Sequence, residues 1–172
     1  HTRNKELLKY AQTDALTGLY NKETTEQLTD ELLSEDENKS HAFLILDVDC
    51  FKQINDIYGH AVGDIVLQKF GKLLKGTFRE GDILGRIGGD EFGVIMKNIQ
   101  TKDIAMKKAG ELLAKTQAYR IDELKGNNIS ISIGISTAPQ DGDCYMDLYK
   151  RADQALYQAK RSGKARVCNY FS

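Results

Sequence analysis

With 172 residues, 41% of them hydrophobic, the chain can bury one substantial core and fits a single domain. Lysine and arginine total 24 against 25 aspartate and glutamate, a net charge of -1, so no overall field attracts a nucleic-acid backbone, and phosphate binding has to come from a few placed side chains. Cys50, Cys144 and Cys168 form no CxxC pair, which argues against a structural zinc or dithiol redox motif and fits a reducing, cytoplasmic setting.

In chain order, Asn4 to Ala11 carries Leu7, Leu8 and Ala11 at helical spacing on a charged segment too short to hold alone, and reads as the end of a connecting helix. The chain starts without methionine and is read as a piece of a longer one, with His1 a tag remnant and residues 1–12 following an upstream sensor. Residues 13–172 then form the globular domain. Turn formers over Thr13 to Leu19 break the helical pattern, and Asn21 is placed to cap a helix running to about Ser34. Ala42 to Leu46 is a continuous apolar run ending in Asp47, the profile of a strand buried on both faces whose end opens at a site.

A short helical turn follows near Phe51 to Ile57, and Val62, Val66, Phe70 and Leu73 mark a helix from about Ala61 to Lys75. Ile83-Leu84 and Phe92 to Met96 flank Gly88-Gly89-Asp90-Glu91 and predict a hairpin. Ala105, Ala109 and Leu112 mark another helix. Ile129, Ile131, Ile133 and Ile135 alternate with small polar residues, predicting a half-buried strand. A last helix carries Leu148, Ala152, Ala155 and Ala159, and Val167 begins a terminal strand. No apolar run approaches the roughly 20 residues that span a bilayer, which leaves open an anchor elsewhere in the full-length protein. The interleaved elements with a hairpin in their midst predict an α+β fold with a central mixed sheet of about five strands and surrounding helices.

Two constellations carry chemistry. Asp47-Val48-Asp49 closes the buried strand and Asp90-Glu91 sits at the hairpin tip, so the two can bring carboxylates around a hard divalent cation such as magnesium. The plainer reading of each pair alone is a turn former on a solvated surface. Gly88 and Gly89, lacking Cβ atoms, either make an ordinary turn or let a nucleotide approach the backbone. His1, His41 and His60 have no metal-ligand spacing. Neither GxxxxGK[ST] nor GxGxxG follows a strand, which excludes P-loop and Rossmann nucleotide binding.

Arg86-Ile87-Gly88-Gly89-Asp90-Glu91-Phe92 resembles the signature of the GGDEF family of diguanylate cyclases. Asp14 to Asn21 resembles that family's opening motif, and Asp47 to Asp56 its metal-and-substrate motif. Tyr58 to Asp64, Ser130 to Ile135 and Ala152 to Lys160 continue the match in the family's order, so the resemblance covers about Thr13 to Val167. It implies a nucleotidyl-cyclase, polymerase-palm-like fold and the condensation of two GTP into cyclic di-GMP. Because each product bond joins nucleotides held on different copies, it also implies a homodimer.

Residue by residue, the resemblance implies that Asp47, the Val48 backbone carbonyl and Asp90 hold magnesium, with manganese as a substitute, and that Asp90 helps deprotonate the attacking 3′-hydroxyl. Glu91 comes second, as a catalytic group or as the structural partner of a lysine. Asn55 and Asp64 match the guanine readers, and a carboxylate does suit the paired N1 and N2 donors that adenine lacks. Lys52 matches the lysine that steadies phosphate charge, Lys160 and Lys164 the pair gripping the terminal phosphates, and His60 a residue beside the substrate. Arg79 and Asp82 match the family's RxxD inhibitory site for cyclic di-GMP. Cys50 and Ala165 depart from the pattern, where histidine or arginine and asparagine are more usual, and are expected to affect only local packing. The alternative is a non-catalytic receptor domain for cyclic di-GMP or GTP.

Overall fold

The computed structural model describes residues 2–170, so His1 lies outside it. Six helices and a five-stranded sheet follow in the order α1 (Thr2–Gln12), α2 (Lys22–Glu35), β1 (His41–Val48), α3 (Phe51–Tyr58), α4 (His60–Thr77), β2 (Ile83–Arg86), β3 (Glu91–Met96), α5 (Lys102–Ala118), β4 (Ile131–Ala138), α6 (Tyr145–Arg161) and β5 (Val167–Asn169). A short 3₁₀ turn over Asp122–Leu124, which the sequence pattern does not announce, precedes β4. The strands lie in the order β2-β3-β1-β4-β5. All neighbours are antiparallel except β4 and β5, so the sheet is mixed, as expected, with β1 at its centre.

The apolar run of β1 serves both faces of this sheet. Ala42, Leu44, Leu46 and Val48 join a core with Val66, Leu67 and Phe70 of α4 and Ala105, Ala109 and Leu112 of α5. Phe43 and Ile45 join a second core with Tyr145, Leu148, Ala152 and Leu156 of α6 and Leu32 and Leu33 of α2. By strand alternation Asp47 continues the second set, and therefore ends β1 on the face that α6 covers.

The same layering corrects the half-buried reading of β4, whose eight residues are all buried. Its isoleucines enter the α4–α5 core, while α6 lies against the other face, so closely that a methyl group on Gly134 would collide with the Ala152 carbonyl and the Leu156 amide. The small polar residues on that face mark close helix packing rather than solvent. They are satisfied by hydrogen bonds, Ser136 Oγ donating to the Leu148 carbonyl at 2.8 Å and Ser132 Oγ to Asp49 Oδ1 at 2.6 Å.

At the chain's start, Asn21 caps α2 as expected, accepting the Thr24 amide at 2.9 Å. Helix α1 buries none of its residues, leaving Leu7, Leu8 and Tyr10 exposed. Among the described residues no helix is long and apolar enough to cross a membrane.

Candidate active site

The ends of β1 and β3 place the acidic residues. Asp47 pairs directly with Glu91 across the two strands, and the Val48 amide donates to the Asp90 carbonyl at 3.4 Å. Between β2 and β3 a four-residue tip, Ile87 to Asp90, carries the glycines, and the Ile87 and Gly88 amides both donate to the Glu91 carbonyl, at 2.9 and 3.2 Å. A Cβ on Gly89 would meet nothing within 4 Å, so the turn presents bare backbone to open space. Arg86 braces this tip, its Nη2 and Nε donating to the Gly89 carbonyl at 2.8 and 3.1 Å while its Nη1 pairs with Asp14 Oδ1 at 3.2 Å. Burial works to raise the Asp14 pKa, but the Thr17 and Arg86 hydrogen bonds outweigh it and hold the carboxyl below the usual range.

Helix α6 supplies two ties to the acidic pair. Lys160 Nζ pairs with Asp47 Oδ2, and the Tyr149 hydroxyl donates to Glu91 Oε1 at 2.7 Å. Asp47 is nevertheless pushed up to about 6, because burial and the neighbouring Asp90 and Asp49 charges outweigh Lys160. Burial likewise raises Glu91, helped by Asp153 and Asp90 and opposed by the Tyr149 hydrogen bond. Burial lowers the Lys160 pKa, but the Asp47 hydrogen bond and the surrounding acids leave it raised. Asp47 Oδ1 is buried and has no hydrogen-bond partner among the described residues.

That orphaned oxygen, together with Asp90 opposite, fits a hard divalent cation, which takes oxygen ligands. Asp49, grouped with these acids on sequence, does not belong to the set. Its Oδ2 accepts Ser130 Oγ at 2.6 Å and the Ala165 amide at 3.1 Å, and its Oδ1 accepts Ser132 Oγ, so its lone pairs join β1 to β4 and to the turn after α6. The three ligand atoms that do converge among the described residues, from Asp143, Cys144 and Asp147, lie around the first turn of α6 near the opposite end of β1. A cleft of about 630 Å³ is at that end too, lined by Asp36, His41, Asp141, Asp147 and Arg151 among others.

The predicted nucleotide readers lie where α3 meets α4. Asn55 Oδ1 is buried without a hydrogen-bond partner among the described residues, and a side chain on Gly63, just before Asp64, would collide with it, so this glycine makes the room that the Asn55 amide occupies. Asp64 and His60 are exposed on the first turns of α4, and Lys52 is exposed on the first turn of α3. Lys160 and Lys164 have different partners in the structure. Lys160 is held on Asp47, whereas Lys164 lies past the end of α6 in left-handed backbone, its Nζ donating to Cys50 Sγ at 3.2 Å.

Arg79 and Asp82 line a second cleft of about 500 Å³ with Tyr20, Lys75, Phe78 and Leu84. Asp82 is buried and accepts the Lys97 amide at 3.1 Å and the Arg79 amide at 3.2 Å, while the Arg79 guanidinium bonds the Lys97 carbonyl. Tyr149, the serine partners of Asp49 and the bracing role of Arg86 are absent from the sequence reading. Each depends on a contact between residues far apart in the chain. Only the alternation of Ser130 and Ser132 gave any signal, and it was read as solvent exposure.

The model of the diguanylate cyclase GGDEF domain matches residues 11–166. The chain belongs to the GGDEF family. Diguanylate cyclase A of Treponema denticola is 36% identical over 170 residues, which are 95% of this chain and 46% of that protein. Diguanylate cyclase TpbB of Pseudomonas aeruginosa is 36% identical over 164 residues, 94% of this chain and 38% of that protein. The chain thus spans less than half the length of these curated relatives. The solved GGDEF domain of TpbB superposes with a TM-score of 0.87 at 33% identity, covering 92% of this chain and 94% of that one. The GGDEF domain of DgcB from Caulobacter crescentus, solved in complex with cyclic di-GMP, gives 0.84 at 27% identity over 92% of this chain and 95% of that one. The fold of this GGDEF domain, its five strands in mixed arrangement and its hairpin, is that of the family.

Proposed function

We propose that this GGDEF domain is a catalytically competent diguanylate cyclase, joining two GTP into cyclic di-GMP with release of two pyrophosphates. The observation that carries the reading is the intact set of acids at the ends of β1 and β3. Asp47 and Glu91 face each other, Asp90 is at the tip between glycines and strand, and Asp47 keeps one buried oxygen without a partner. In this reading Asn55 and Asp64 hold guanine, the Asp64 carboxylate accepting from the paired N1 and N2 donors and the Asn55 amide serving the acceptor atoms of the base. Lys160, Lys164 and Lys52 take the phosphates, and His60 lies beside the nucleotide.

Asp47, the Val48 carbonyl and Asp90 would hold magnesium, which when bound would neutralise phosphate charge and make a 3′-hydroxyl more acidic. Asp90 is then placed to accept that proton, and Glu91 to shape the field around it. The acids lie at strand ends, outside the cleft of about 630 Å³, which suits a site completed by the nucleotide of a facing copy. The exposed apolar residues of α1 suit such pairing as well. Arg79 and Asp82 are read as the place where product binds and restrains the domain, their cleft offering an exposed guanidinium beside a buried carboxylate.

Purified protein with magnesium and GTP is expected to make cyclic di-GMP, and Asp90→Ala to abolish it while leaving the melting temperature near that of the wild type. Robust product formation by the variant, measured by chromatography, would overturn the assignment.

A further inference from the structure

We propose that Tyr149 is a positioning residue for the reaction, fixing one oxygen of Glu91 so that the other is turned toward the reacting groups. The inference rests on the cyclase reading and adds a residue that the signature motifs leave without a role.

Asp47 and Glu91 are cross-strand partners on the face that α6 covers, and α6 reaches this pair from both directions. Lys160 holds Asp47, and Tyr149 holds Glu91. The two side chains are eleven positions apart on one helix, about three turns and so on nearly the same face, roughly 16 Å apart along its axis. The helix therefore brackets the acidic pair, a lysine from one end and a phenol from the other.

The phenol itself has little freedom. The Tyr149 ring lies 5.9 Å from that of Tyr145 at 30°, and Tyr145 is buried and packs edge-on against Phe43 of β1 at 5.4 Å and 86°. A stack of three rings anchored in the central strand thus sets the position of the Tyr149 hydroxyl. Tyr149 is the hydrogen-bond partner of Glu91 among the described residues. A glutamate's terminal torsion is broad, so without this donor the carboxylate would sample a wide range of orientations. With the donor, Oε1 is committed at 2.7 Å and Oε2 is the oxygen left to act. Removing an outer partner of this kind typically costs ten- to a hundredfold in activity.

The test is a cycle of wild type, Tyr149→Phe, Glu91→Gln and the double variant, at matched protein concentration with magnesium and GTP, each checked for folding by thermal melting. Phenylalanine keeps the ring stack and removes only the donor. Tyr149→Phe is expected to lower kcat by about ten- to a hundredfold with KM for GTP within about twofold of wild type. In the Glu91→Gln background the same change is expected to have no further effect, since the second carboxylate oxygen that Tyr149 turns toward the reacting groups is already replaced by an amide nitrogen. An unchanged kcat in Tyr149→Phe, a loss confined to KM, or losses that multiply in the double variant would overturn the positioning role while leaving the cyclase reading intact. A wild type that binds GTP by calorimetry yet makes no product would overturn both.

Discussion

Cys50 and Ala165 look like minor departures from the family pattern on sequence, but the backbone gives them more weight. Ala165 sits at φ 50° and Cys50 at φ 56°, both left-handed, a region that costs residues other than glycine and asparagine about 1 kcal/mol or more. The turn after α6 needs this geometry because the Ala165 amide must reach Asp49 Oδ2. Asparagine, the residue usual in the family, tolerates the same backbone. Ala165→Asn is therefore expected to stabilise the domain by about 1 kcal/mol, read as a higher denaturant midpoint at unchanged slope. The acids were legible at this scale for a simple reason: Asp47 follows an apolar run and Asp90 follows two glycines, and both are local patterns. The partners that divide their labour were not. Asp49 carries the same charge as Asp47 two positions away, and the hydroxyls of Ser130 and Ser132 with the Ala165 amide tie it into the structure, whereas Asp47 keeps a buried oxygen without a partner among the described residues.

Among the elements, β1 was readable because burial on both faces writes an unbroken apolar run, and α2 because its cap is a local signal. Strand β4 misled because period-two alternation reports a change in side-chain size as readily as a change in exposure. Its small residues admit α6 to within backbone contact distance. Gly134→Ala accordingly forces α6 away from the sheet, since the atoms it meets are backbone and cannot rotate aside. The expected cost is about 3 kcal/mol, at the upper end for overpacked cores, measurable by urea unfolding. Because α6 also carries Lys160 and Tyr149, turnover at a temperature where the variant remains folded is expected to fall as well. A variant as stable and as active as wild type would show that the helix is not held at this depth.

For the molecule as a whole, the proposed site of one copy gathers acids, base readers and lysines at the strand ends and at the junction of α3 and α4, away from the cleft of about 630 Å³. If two such surfaces make one product, specific activity must depend on how often copies meet. Activity per milligram is expected to rise with protein concentration across the dimer dissociation constant and then level off, in a turnover series at fixed GTP and magnesium. A flat series would show that pairing does not limit the reaction.

The ties that hold Asp49 also set an order of events in time. Asp49 directly follows β1, but its partners lie 81, 83 and 116 positions further along the chain. During synthesis β1 emerges long before the residues that neutralise its end. Until β4, the end of α6 and the turn after it have been made, Asp47 lacks its lysine and Asp49 its full set of hydroxyl and amide donors. Closure of the sheet and completion of the site are then a single late step, and contacts of such long range make that step slow compared with forming any one helix. A ribosome-bound chain stopped before Ala165 would carry every residue of the hairpin signature and still lack the environment that gives those residues their roles.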